Sequence, residues 1–63
     1  MAVRRLWNLR RGDVVKIRRG HLEGERGEVL EIQPRHGVLV LRILGKDLVE
    51  RVPVRACWWR SGV

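Results

Sequence analysis

Sixty-three residues and 7.4 kDa allow one small domain with a thin core, at a size where stability is marginal. The apolar share of 44% is mostly aliphatic, with ten Val, eight Leu and three Ile, which excludes a disordered polar chain; the single cysteine, Cys57, excludes an internal disulfide framework and a four-cysteine zinc site. A net charge of +7, with twelve Arg among fourteen basic residues, points to a polyanionic partner, nucleic acid before an anionic membrane.

Residues 1–9 form a basic arm, with Arg4 and Arg5 among Val3, Leu6, Trp7 and Leu9, and Trp7 is expected to anchor it. Helical periodicity is poor from there on, while β-branched runs separated by glycine are plentiful. The first predicted strand is Asp13–Ile17, with Val15 and Ile17 on one face. A loop with glycines at 20, 24 and 27 follows; it lacks the Gly-Lys-Ser/Thr ending of a phosphate-binding loop and reads as loop architecture. The second strand, Glu28–Ile32, carries Val29 and Ile32 on opposite parities, so either both faces are part-buried or a bulge resets the pleat.

Gln33-Pro34-Arg35-His36-Gly37 reads as a turn. The nearly continuous aliphatic run Val38–Leu44 reads as the central and most buried strand. Gly45-Lys46-Asp47 turns the chain again, and Leu48–Val54 follows with Val52 and Val54 on one face and Pro53 marking an edge strand. Arg55–Trp59 supplies a turn and a short fifth strand. Short strands at this spacing predict an all-β, five-stranded antiparallel barrel over residues 10–60, with a tail at 61–63.

Charge is segregated along the chain. Residues 1–19 carry a net +6, residues 20–34 carry −3, and residues 35–63 carry +4. Such blocks favour a binding face over generic solubilising charge.

Gly12-Asp13-Val14-Val15-Lys16-Ile17, then Gly20, Gly24, Gly27-Glu28-Val29 and Ile32, resembles the KOW motif over about residues 10–41. The continuation through Val38–Lys46 to Val52-Pro53-Val54 resembles the C-terminal domain of NusG-type elongation factors without a gap. The resemblance implies an SH3-like barrel and a partner that is ribosomal RNA, a nascent transcript, or a protein of those assemblies. Ribosomal KOW loops usually carry Lys beside the middle glycine, where Glu23 and Glu25 flank Gly24 here, so RNA contact by this loop would rest on Arg18, Arg19, His21 and Arg26. NusG-type tails usually carry an aromatic residue where this chain has Leu44.

The expected RNA-binding residues are Arg10, Arg11, Arg18, Arg19, His21, Arg26, Arg35 and His36, because guanidinium groups contact phosphate bidentately and stack on unpaired bases. Trp58 and Trp59 face opposite ways on an extended backbone; the favoured reading packs both rings against Leu6 or Trp7, and the alternative has one seal the barrel while the other stacks on a base. The alternative is a protein-docking module that uses Ile43, Leu44 and Lys46. Catalysis has little footing: Ser61 is the lone hydroxyl residue, and His21, His36 and Cys57 lack nucleophile-pair or metal-ligand spacing. The expectation is a non-catalytic protein without metal or cofactor. No apolar run approaches the ~18 residues of a membrane span, and the expected compartment is the cytoplasm.

Overall fold

The structure, a computed structural model, describes residues 9–59. Residues 1–8, with Trp7, and residues 60–63, with Ser61, lie outside it. Five antiparallel strands, β1 (Val14–Ile17), β2 (Arg26–Gln33), β3 (Val38–Ile43), β4 (Leu48–Pro53) and β5 (Cys57–Trp58), form one sheet in the order β4-β3-β2-β1-β5. The sheet curls into an SH3-like half-barrel around one apolar face.

The core follows from strand alternation. Val15 and Ile17 point inward from β1, as their shared parity requires, while Val14 and Lys16 point out. Leu39, Leu41 and Ile43 do the same from β3, and the first two are wholly inaccessible. The parity conflict in β2 is resolved by a bulge: Val29 pairs with Leu41 and Glu31 with Val40, leaving Leu30 as the extra residue. Val29 and Ile32 thereby both turn toward the core, and Leu30 is left exposed.

Three expectations need correction. The run Val38–Leu44 is internal to the sheet, but β2 holds the middle position, and β3 alternates, with Val38 and Val40 half-buried and Arg42 exposed on its outer face. Val54 does not continue β4. It opens a 3₁₀ turn, Val54–Ala56, after Pro53 at φ −59°, and its N–H donates to the Gly37 carbonyl at 2.8 Å. Leu9, at the end of the expected arm, is buried in the core. The edge position foreseen for β4 from Pro53 does hold.

The loop between β1 and β2 is held by its own backbone. Ile17 N–H donates to the Glu25 carbonyl and Gly24 N–H to the Ile17 carbonyl, both at 2.8 Å, and Arg18 N–H donates to Ala56 O at 2.7 Å. Gly24 sits at φ +91°, a conformation that side chains disfavour, and this lets the loop return while Leu22 is buried beneath it. Gly27 serves a different purpose: a Cβ there would stand 2.9 Å from Cβ of Leu41, so only glycine permits this approach of β2 to the core.

Candidate nucleic-acid interface

The outer face of the sheet near β5 collects charge around a ring. Lys16 is the cross-strand partner of both Trp58 on β5 and Arg26 on β2, so the three side chains form one row on the solvent side. Arg18, two residues beyond Lys16, shares that face, and Lys16, Arg18 and Trp58 line a shallow recess. Trp58 is 40% exposed, whereas Trp59 packs against the core. The two adjacent indoles therefore divide as alternation requires, one sealing the barrel and one facing solvent.

The nearby acids are already engaged. Glu28, next to Arg26 on the same face, pairs with Arg42, and Glu25 pairs with Lys46 at 3.2 Å. Asp13 accepts from the backbone N–H of Arg10 at 2.9 Å, closing the turn before β1. Among the described residues, Lys16, Arg18 and Arg26 make no ion pair, so the field beside Trp58 stays positive.

The expected binding residues do not form one cluster. All of Arg10, Arg11, Arg18, Arg19, His21, Arg26, Arg35 and His36 are exposed. Arg18 and Arg26 join the Trp58 row. Arg19 and His21 turn to the other side of the loop, toward β4. Arg35 and His36 lie in the turn at the far end of β2, whose closure is marked by the His36 N–H to Gln33 carbonyl bond of 3.1 Å. Arg10 and Arg11 precede β1, where the Gly12 N–H donates to the Val29 carbonyl. Lys16 was missed because its role depends on pairing with β5, although its place opposite Val15 and Ile17 was legible from alternation.

The expected protein-docking face also changes. Ile43 is 1% exposed and belongs to the core, so it offers a partner nothing; β3 parity turns it inward. Leu44 is 40% exposed, and its N–H donates to the Arg26 carbonyl at 2.8 Å, which places it beside the basic row. Lys46 is tied to Glu25. Cys57 is buried, with its thiol toward the Pro53 carbonyl at 3.5 Å, and burial pushes its pKa up to about 11. The thiol is therefore held protonated at neutral pH. No cluster of His, Cys, Asp and Glu among the described residues could hold a metal ion.

A curled five-strand sheet with a 3₁₀ turn before its last strand defines an SH3-like barrel module. The KOW motif family model matches residues 11–50, and the chain belongs to the KOW family, a non-catalytic one. Among solved structures, a chain in the crystal structure of the MjSpt4:Spt5 complex (conformation B) is similar, with a TM-score of 0.75 and 26% sequence identity. The match covers 87% of this chain and 39% of that one, so this chain spans about two fifths of that chain's length. No curated protein matches. The chain is thus a KOW module whose fold is similar to that of a chain in an Spt4:Spt5 complex.

Proposed function

We propose that this KOW module is a non-catalytic RNA-binding protein, cytoplasmic, acting on ribosomal RNA or a nascent transcript. The supporting observation is the exposed Trp58 ring set beside Lys16, Arg18 and Arg26, whose charges no described carboxylate neutralises. An indole face accepts an unpaired base by stacking, and the adjoining cations meet the phosphates on either side of it. Neither contribution needs a metal, a cofactor or an enclosed cavity. Arg10, Arg11 and Arg35 add attraction for the polyanion that salt screens with distance from the ring.

A titration of the chain with single-stranded and duplex RNA, read by fluorescence anisotropy of labelled RNA at several salt concentrations, tests this. Trp58→Ala should weaken single-strand binding by about 1–3 kcal/mol, roughly five- to 150-fold, with a smaller effect on duplex. Unchanged binding by that variant would remove the stacking role.

A second reading has its own observation. Leu44 is an exposed aliphatic residue on a turn, and the similar solved chain belongs to a complex of Spt4 and Spt5, so docking on a protein of the transcription or translation machinery is the alternative. Leu44→Ser, which adds no charge beside Arg26, would weaken that docking strongly and leave RNA binding nearly intact.

A further inference from the structure

A second surface lies on the opposite side of the β1–β2 loop. Arg19, His21 and Leu22 from that loop face Glu50, Val52 and Pro53 of β4 and Arg55 and Ala56 of the 3₁₀ turn across a cleft of about 290 Å³. Its floor is Ile17, Leu22, Val52 and Ala56. Leu22, Val52 and Ala56, at 6–8% exposure, are the least covered members of the core, whereas the centre of the core is at 0–1%. The core thus opens to solvent at this seam, between the loop and the edge strand.

The rim is basic. Arg19 and Arg55 make no ion pair among the described residues, and Arg51 donates to the Gln33 side chain at 3.1 Å. Glu50 is the one rim acid, and His21 stands 4.0 Å from it. The lining holds no indole, and its groups able to stack on a base, His21 and the arginines, stand on the rim, so the floor itself is aliphatic and offers a nucleobase no platform. An aliphatic side chain gains from that floor by burial, and flanking carboxylates gain from arginines whose charge is unanswered.

We propose that this cleft binds an acidic peptide segment built around one aliphatic side chain, which enters between Leu22, Val52 and Ala56 while neighbouring carboxylates meet Arg19 and Arg55. The loop is preorganised for it by the Gly24 N–H to Ile17 carbonyl bond and the Arg18 N–H to Ala56 carbonyl bond, so little ordering is required on binding. The adjacent arginines divide between the two surfaces: Arg18 lines the recess with Trp58, and Arg19 lines the cleft. The peptide site therefore stands independently of the RNA reading.

The test is an amide NMR titration of the full ¹⁵N-labelled chain with a capped decapeptide of Asp and Glu around one central Leu. A version with Ser in place of that Leu, and oligouridine, serve as the other two probes. Saturable shifts confined to residues 19–22 and 50–56, weakened about tenfold or more by the Leu-to-Ser change, are expected. The double variant R19E/R55E should weaken the Leu peptide at least as much, and R18E far less, with dispersed spectra confirming that each is folded. Equal binding of the Ser peptide would reduce the effect to bulk charge and overturn the proposal. So would peptide shifts centred on Lys16, Arg18 and Trp58, or oligouridine occupying the cleft in preference to the peptide.

Discussion

Two small residues have effects out of proportion to their size. Gly27 sits where a single added carbon would meet Cβ of Leu41 at 2.9 Å, and that atom cannot swing away because it is fixed to the β3 backbone. Gly27→Ala should therefore cost about 1–3 kcal/mol of stability by overpacking, read as a fall in the urea midpoint. An unchanged midpoint would mean that β2 and β3 do not approach as closely as described. Cys57 is the other case. Its thiol titrates near 9.0 when exposed and near 11 in the fold, because burial disfavours the thiolate. A group held neutral by the fold binds more protons folded than unfolded between those values, so stability falls as pH rises from 9 toward 11 and levels off above. Comparing the parent with Cys57→Ala over that range cancels the other titrations; the parent should lose ground to the variant as pH rises. Parallel curves would show that the thiol is not desolvated.

At the scale of the strands, β2 shows what a local pattern can and cannot reveal. The opposed parities of Val29 and Ile32 announced either a bulge or two part-buried faces, and nothing near them in sequence decided between the two. The pairing with β3 decides it, because Leu39 and Leu41 must both face inward to fill the core, and only an extra residue at Leu30 lets Val29 and Ile32 meet them. β3 itself misled in the other direction. Its aliphatic run suggested the central strand of the sheet, yet β2 lies in the middle, Val38 and Val40 lie on the outer side of β3, and Ile43, read as a surface contact, lies on the inner. The site was partly legible for the same reason: alternation placed Lys16 outward, but its juxtaposition with Trp58 joins residues 42 positions apart and depends on β1–β5 pairing. Leucine truncation tests this register. Leu41→Ala should cost about 2–5 kcal/mol and Leu30→Ala less than about 1 kcal/mol. Comparable costs would place the bulge elsewhere.

For the whole molecule, the question is whether a charge of +7 acts as a diffuse cloud or through a place. The fold spreads its cations over a body 30 × 26 × 18 Å, and the eight residues of β2 separate Arg26 at one end from the turn bearing Arg35 and His36 at the other. A strand of that length rises about 25 Å, roughly three times the ~8 Å over which physiological salt screens a charge. Reversing a charge at the far turn should therefore be weakly felt beside Trp58 near physiological ionic strength. Arg26→Glu and Arg18→Glu are expected to weaken RNA binding strongly and to flatten the dependence of log K on log salt by about 0.7–0.9 for each phosphate left without its cation. Arg35→Glu, with the same change in net charge, should move affinity and slope much less at physiological salt, and the three variants should converge only as salt is lowered and screening fades. Equal losses for all three at physiological salt would mean that net charge alone attracts the RNA, and that the row of Trp58, Lys16 and Arg26 is not where it binds.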